Sequence, residues 1–158
     1  MSTVARPTGP AGPAGAVPSR PRGIDPRGPQ FTAAVTVVVL VAILVLPTPA
    51  AVVLTAVQAM FFAIGATLGV QRTPHAWVFR TLVRPRLEAP AELEDPAPPR
   101  FAQAVGLVFT LVALVAFGLG WTTAALVAIG LALVAAVLNA AFRFCLGCEL
   151  YLLLKRIA

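Results

Sequence analysis

Two cysteines are the residues in this 158-residue chain whose type and spacing are best suited to chemistry. Cys145 and Cys148 form a C-x-x-C motif, and the sequence contains no other cysteine. On a helix, a spacing of three residues brings both sulfur atoms to one face, which suits a reversible disulfide or shared metal ligation. The motif predicts a functional dithiol. The alternative is a pair of small apolar residues packed at a helix end.

The reactivity of this dithiol depends on where the neighbouring helices begin and end. A helix N-terminus and nearby cations favour a thiolate, and Arg143 precedes Cys145 by two residues. If a separate interfacial helix begins at about Phe144, both cysteines lie in its first turn and are activated. If one continuous helix runs on to Lys155, the motif is in mid-helix and loses this stabilisation.

Two further side chains are candidates for proton transfer at the dithiol. Glu149 is adjacent to Cys148, and its alternative role is that of a solvated surface carboxylate. His75 is the only histidine, and it falls opposite Cys145 when the chain is aligned with itself so that position 25 matches position 95. There it would serve as a base or as a third metal ligand. Its alternative role is that of an interfacial polar residue.

The composition places this dithiol in a membrane protein. Hydrophobic residues make up 59% of the chain and charged residues 11%, against about 25% charged in soluble domains. Four apolar segments without a charged residue approach or reach the roughly 17–25 residues needed to span a bilayer. We therefore predict an all-α membrane protein with four transmembrane helices in two tandem hairpins and short cytoplasmic amphipathic segments. The predicted spans are residues 31–46, 50–70, 101–119 and 122–142.

The distribution of charge predicts the topology and the domain organisation. All 12 Lys and Arg residues lie before the first predicted span, in segment 71–100 or from residue 143 onward. The positive-inside rule places these three regions on the cytoplasmic side of the inner (plasma) membrane, together with both termini. Topology thus accounts for the net charge of +6, and no nucleic-acid partner is predicted. Residues 1–23, rich in Pro and Gly, are predicted to be a disordered tail, and residues 24–158 form the transmembrane domain.

The same self-alignment shows that part of the sequence is repeated. The pattern Asp-Pro-x-x-Pro-x-Phe-x-x-Ala-Val occupies residues 25–35 and recurs without a gap at 95–105. We call the alignment that matches these two stretches the repeat register. Two spans in each half mean that both halves enter the membrane in the same sense, which predicts a parallel internal repeat. The alternative is a chance recurrence, because Pro-Phe is common before a helix.

Four stretches of the chain carry a resemblance to a known family. They are Asp-x-Arg-Gly-Pro-x-Phe at 25–31, Arg-x-x-Val-Arg-Pro at 80–85, Glu-x-Glu-Asp-Pro-x-Pro-Pro-Arg-Phe-Ala-Gln at 92–103 and Asn-Ala-Ala-Phe-x-Phe-Cys-Leu-Gly-Cys-Glu at 139–149. Over about residues 24–157 the chain resembles the bacterial membrane family called domain of unknown function 4395, especially its actinobacterial members. The resemblance implies a small helical membrane protein and no particular activity. Genes for thioredoxin-like proteins or sulfurtransferases often lie near those of such members, which implies a partner of that kind.

The leading hypothesis is a thiol–disulfide or sulfane-sulfur relay at the cytoplasmic face of the bilayer, with a thioredoxin-like or sulfurtransferase partner. Cys145 would be the attacking thiol and Cys148 the resolving thiol. No cofactor is predicted, unless a homodimer joins two motifs into a Cys₄ site for zinc or iron. The alternatives are a non-catalytic scaffold or assembly protein of that dimeric kind, and a small-solute transporter. Spans without ionisable groups argue against ion-coupled transport. The sequence does not decide whether the protein is an enzyme.

Overall fold

The structure is a computed structural model that describes residues 23–90 and 92–157. Nearly all of the predicted disordered tail lies outside the described residues. Within the described part there are six α-helices and no β-strand. The helices are α1 (Arg27–Val45), α2 (Thr48–Leu68), α3 (Pro74–Val78), α4 (Ala97–Gly118), α5 (Thr122–Phe142) and α6 (Leu146–Ile157). Shorter helical turns flank α3 at Val70–Arg72, Phe79–Val83 and Arg84–Arg86.

Four of these helices, α1, α2, α4 and α5, are long and apolar enough to cross a membrane. The predicted all-α fold with four membrane-length helices is confirmed. Helices α1 and α4 both begin about one turn before the predicted spans, at Arg27 and Ala97. Their first turns contain Pro29, Pro98 and Pro99, and proline is tolerated there because the first N–H groups of a helix have no intrahelical partner.

The membrane-length helices pack as an antiparallel bundle, with α2 against α4, α1 against α5, and α4 against α5. The shared core consists of Leu40 and Ile43 from α1, of Phe117 and Ile129 from α4 and α5, and of six alanines from α2, α4 and α5. Small residues let helix backbones approach closely where lipid gives no hydrophobic driving force. One example is Gly106 in α4, where an added Cβ would lie 2.8 Å from the ring of Phe62 in α2.

One end of the bundle carries the charged side chains of the described residues. This charged end comprises the first turns of α1 and α4, the last turns of α2 and α5, and residues 23–26, 69–90, 92–96 and 143–157. There Asp25 forms an ion pair with Arg27 at 3.0 Å, and the Arg27 guanidinium also donates to the carbonyl of Glu88 at 2.8 Å. Burial alone would raise the pKa of Asp25, but the hydrogen bonds from Arg27 outweigh it and hold that pKa below its usual range.

Residues that are equivalent in the repeat register make matching contacts at the charged end. Ile24 and Glu94 pair with each other through two reciprocal backbone hydrogen bonds of 2.9 and 3.0 Å. Such reciprocal bonds are what a two-fold axis between two copies of one unit produces. The carboxylates of Asp25 and Asp95 each accept a hydrogen bond from the backbone N–H two residues later. These contacts fit two equivalent halves, while the sequence duplication itself stays a prediction.

A second matching pair ties each half to the other. Gln30 in α1 donates to the carbonyl of Ala140 in the last turn of α5, at 3.0 Å. Arg100 in α4, the equivalent of Gln30 in the repeat register, donates to the carbonyls of Ala66 and Thr67 in the last turn of α2. Each side chain satisfies carbonyl oxygens that the end of a helix leaves without an intrahelical partner. The charged end is therefore held together by specific hydrogen bonds as well as by packing.

Candidate functional site

A break between α5 and α6 positions the C-x-x-C motif. Helix α5 ends at Phe142, and Arg143 adopts a left-handed conformation with φ of 56°. The N–H of Phe144 then donates to the carbonyl of Leu138 at 3.2 Å, which closes the end of α5. A new helix, α6, begins at Leu146. The structure thus has the separate second helix, and the alternative of one continuous helix is wrong.

The two cysteines lie at the N-terminus of α6 and are joined as a disulfide, with their Cα atoms 5.1 Å apart. Cys145 immediately precedes the helix, and its carbonyl accepts the first helical hydrogen bond, from the N–H of Glu149 at 3.0 Å. The N–H of Cys148 donates to the sulfur of Cys145 at 3.2 Å. In the reduced form, this N–H and the positive end of the helix would both favour a thiolate on Cys145.

Helix α6 is fixed to α4 at a close backbone contact. A Cβ added to Gly147 would lie 2.6 Å from the Cα atom of Ala102 and 2.7 Å from its Cβ atom. One helical turn further along α6, the ring of Tyr151 packs against that of Phe101, with ring centroids 5.8 Å apart. Glycine between the two cysteines is therefore required by packing, and it brings the disulfide against α4.

A cavity of about 630 Å³ begins at the disulfide and extends into the bundle between α1, α4, α5 and α6. Its lining is mostly apolar. Leu131, one of its innermost residues, lies about three helical turns before the end of α5 at Phe142. At about 5.4 Å per turn this is a depth of about 16 Å, close to half of the roughly 30 Å hydrocarbon core of a bilayer. The cavity thus connects the cysteine pair to mid-membrane depth.

Residues that are equivalent in the repeat register form part of the cavity wall. Phe62 in α2 packs beside Gly106 in α4. In the repeat register, the equivalent of Phe62 is Ala132 in α5, and the equivalent of Gly106 is Thr36 in α1. All four residues line the cavity. One wall position is therefore a phenyl ring, and its equivalent in the other half is an alanine.

Several polar groups line the end of the cavity next to the disulfide. Arg143 and Glu149 lie there with both cysteines. Gln103 and Asn139 also line the cavity, and both are partly buried. The Gln103 side chain packs against Gly65 in α2, where an added Cβ would lie 2.7 Å from its Oε1 atom. The cavity therefore has an apolar interior and a polar region beside the cysteines.

The structure does not bring His75 to the dithiol. His75 lies in α3, half-buried, with its ring edge-on to that of Phe61 at a centroid distance of 5.0 Å. It is not among the described residues that line the cavity beside the disulfide. Glu149, by contrast, lies in that lining next to Cys148. Of the two predicted proton-transfer groups, only Glu149 has the placement that such a role requires.

His75 is expected to make the stability of the protein depend on pH. Burial lowers the pKa of His75 below its ordinary value of 6.5. Below pH 6.5 the unfolded chain takes up a proton that the folded protein resists, so the free energy of unfolding falls as the pH drops. Thermal unfolding of wild type and His75→Gln in detergent, from about pH 7.5 to about pH 5, tests this. The variant should lose part of the pH dependence; equal pH dependence in both proteins would contradict it.

The sequence marks Asn139 as a polar group within a span, with hydrogen bonding between helices as its expected role, but it does not single out the cavity residues Gln30 and Gln103. A usable signal was present, because each amide lies near the charged end of an otherwise apolar helix. Polar side chains that face a membrane interior are rare enough to mark a site. Which of them face one cavity depends on how the helices are rotated, and the sequence alone does not give that rotation.

The fold and the site define a class, a small all-α membrane protein with a C-x-x-C disulfide beside a cavity at one end of a four-helix bundle. Comparison with family models identifies the family within this class. The model described as Domain of unknown function (DUF4395) matches residues 24–156, and the chain belongs to that family. Neither the curated proteins nor the solved structures provide a match.

No group of three or more His, Cys, Asp or Glu side chains in the described residues is arranged to hold a metal ion. The predicted Cys₄ site would need ligands from two chains. That site remains a prediction, as do the homodimer, the soluble partner and the placement of both termini in the cytoplasm.

Proposed function

We propose that this protein is a membrane thiol–disulfide exchange protein whose Cys145–Cys148 pair cycles between disulfide and dithiol. The observation that carries the proposal is the geometry of the pair. The two sulfurs are within bonding distance at the first turn of a helix, and a backbone N–H points at the sulfur of Cys145. This arrangement suits a disulfide at the helix N-terminus and stabilises the thiolate needed to break another disulfide.

The exchange itself involves a soluble dithiol partner. A thiolate of the partner attacks the sulfur of Cys145, the Cys145–Cys148 bond breaks, and Cys148 leaves as a thiolate. The partner's second thiolate then attacks its own bonded sulfur and releases Cys145. The partner is oxidised to a disulfide, and the Cys145–Cys148 pair is reduced by two electrons. In the reverse direction, Cys145 attacks and Cys148 resolves, so the same mixed disulfide is the intermediate.

Topology supports a cytoplasmic position for this chemistry. The charged end, which holds the disulfide, contains every Lys and Arg side chain of the described residues, and the positive-inside rule places such an end in the cytoplasm. That compartment keeps most thiols reduced, so a cysteine pair there is better suited to cycling than to a permanent bridge. A thioredoxin-like protein fits as the partner because it presents a dithiol of the same chemistry.

The redox state of the pair in native membranes tests the proposal. The chain contains no other cysteine, so a maleimide mass tag added after an acid quench reports on this pair alone. We expect no tags after treatment with diamide and two tags per chain after dithiothreitol. Untreated cells should show both states. The double variant Cys145→Ser, Cys148→Ser is the matched control and should never be tagged.

Two outcomes would contradict thiol–disulfide exchange. Cysteines that stay reduced in the presence of diamide would show that the pair does not cycle. Zinc or iron at about half an ion per purified chain would instead favour a shared Cys₄ site in a dimer. If mass spectrometry of the untreated protein shows a persulfide on Cys145, the site stays the same, but the protein transfers sulfane sulfur instead of electrons.

A further inference from the structure

We propose that the cavity beside the Cys145–Cys148 pair binds a membrane quinone, which takes up the two electrons of the dithiol. The inference rests on the proposed function, because it needs a pair that cycles. It adds the second substrate: electrons enter from a soluble dithiol and leave to a quinone within the bilayer. The protein would then be a dithiol:quinone oxidoreductase.

The position of the cavity favours a ligand that comes from the lipid phase. The cavity extends from the disulfide to Leu131, about 16 Å along α5 at about 5.4 Å per turn. Leu131 and Val134 line it and are 54% and 56% exposed. Lining residues with more than half of their surface exposed show that the cavity is open at this depth. A ligand dissolved in hydrocarbon can enter there without crossing the charged end.

The chemistry of the lining matches a ring with two carbonyl groups and an apolar tail. Asn139 and Arg143 line the cavity at its polar end and carry N–H groups that can donate to quinone carbonyl oxygens. The deeper lining is mostly apolar and suits an isoprenoid chain. The volume of about 630 Å³ is also within the range of roughly 300–1,000 Å³ found for small-molecule sites.

The electron balance points to the same class of ligand. A dithiol that becomes a disulfide loses two electrons and two protons: both S–H bonds break and one S–S bond forms. A quinone that becomes a quinol gains two electrons and two protons, one proton on each carbonyl oxygen. The two half-reactions match without any further oxidant or reductant. Glu149, beside Cys148 in the cavity lining, is placed to carry a proton from sulfur towards the ligand.

Quinone reduction by the full-length protein in nanodiscs tests this inference. The protein is reduced with dithiothreitol, freed of reductant and mixed without oxygen with decylubiquinone, whose fully substituted ring leaves no position for thiol addition. We expect about one quinol per chain by ultraviolet absorbance, together with loss of both maleimide-reactive thiols. The double variant Cys145→Ser, Cys148→Ser should form no quinol.

Variants within the cavity show whether the reaction takes place there. Ala135→Phe places a ring in the cavity, and we expect quinol formation to slow by more than tenfold. Asn139→Leu removes one donor at nearly constant volume, and we expect quinone binding to weaken about tenfold. Ala124→Phe is the matched control, because Ala124 is exposed on the same helix and does not line the cavity; it should leave quinol formation unchanged.

The outcomes separate this inference from the proposed function. Reaction of the thiols with dithiobis(nitrobenzoate), which needs no quinone, is measured for every variant as a check on the fold and the dithiol. If wild type reacts with that disulfide but forms no quinol, the quinone inference is overturned and thiol exchange stands. If wild type neither reacts with that disulfide nor forms quinol, both the quinone inference and the proposed thiol–disulfide exchange are overturned. Equal slowing by Ala135→Phe and Ala124→Phe would overturn the assignment of the cavity as the binding site.

Discussion

In the Cys148→Ser variant, Cys145 is expected to form a mixed disulfide that the protein cannot resolve. With dithiobis(nitrobenzoate), each wild-type chain should release two nitrothiobenzoate ions, because Cys148 attacks the mixed disulfide and displaces the second. Cys148→Ser should release one ion and keep the other bound to Cys145. No second ion should be released from this variant, because no other cysteine in the chain can replace Cys148. Absorbance of the released ion and the intact mass of the protein measure both quantities.

The reciprocal variant, Cys145→Ser, tests which cysteine attacks. Cys145 immediately precedes α6 and its sulfur accepts the N–H of Cys148 at 3.2 Å. Cys148 is the third residue of the helix. At neutral pH, Cys148 in the Cys145→Ser variant should release its single ion about tenfold more slowly than Cys145 does in the Cys148→Ser variant. The reason is that a smaller fraction of Cys148 is present as thiolate. Equal rates would contradict the role of the helix N-terminus, and a faster Cys148 would reverse the two roles.

The four membrane-length helices follow from the sequence because lipid imposes a simple requirement. A span must be apolar over its whole length, and each of the four segments is. The sequence predicts the starts of α1 and α4 less well. Arg27, Gly28 and Pro29 give no hydrophobic signal, although they form the first turn of α1. There the helix is set by the geometry of proline in its first turn and by the Asp25–Arg27 pair.

The sequence predicts the residues of the candidate site but neither the helix break nor the cavity beside them. The C-x-x-C spacing identifies Cys145 and Cys148, but the break before them depends on Arg143 in a left-handed conformation, which a non-glycine residue seldom adopts. No residue type marks such a break in advance. The cavity is lined by alanines such as Ala132 and Ala135 in α5, and alanine in an apolar helix has the same signal whether it faces a neighbour or a void.

Gly147→Ala is expected to displace α6 from α4 and to destabilise the protein by about 1–3 kcal/mol, as overpacking does. The new Cβ would lie 2.6 Å from the backbone Cα atom of Ala102, which cannot move aside as a side-chain tip can. Alanine is otherwise the better helix former by about 1 kcal/mol, so a loss of stability must come from this contact. Thermal unfolding of the reduced protein in detergent measures it.

Two further variants isolate the contact between α6 and α4. Gly130→Ala is the matched control, because nothing lies within 4 Å of a Cβ at Gly130, and it should be neutral or stabilising. Adding Ala102→Gly to Gly147→Ala should recover only part of the stability, since the clash with the Cα atom remains. If Gly147→Ala behaves like Gly130→Ala, α6 is not fixed against α4. The disulfide would then have no fixed position beside the cavity, and the quinone site would lose its geometric basis.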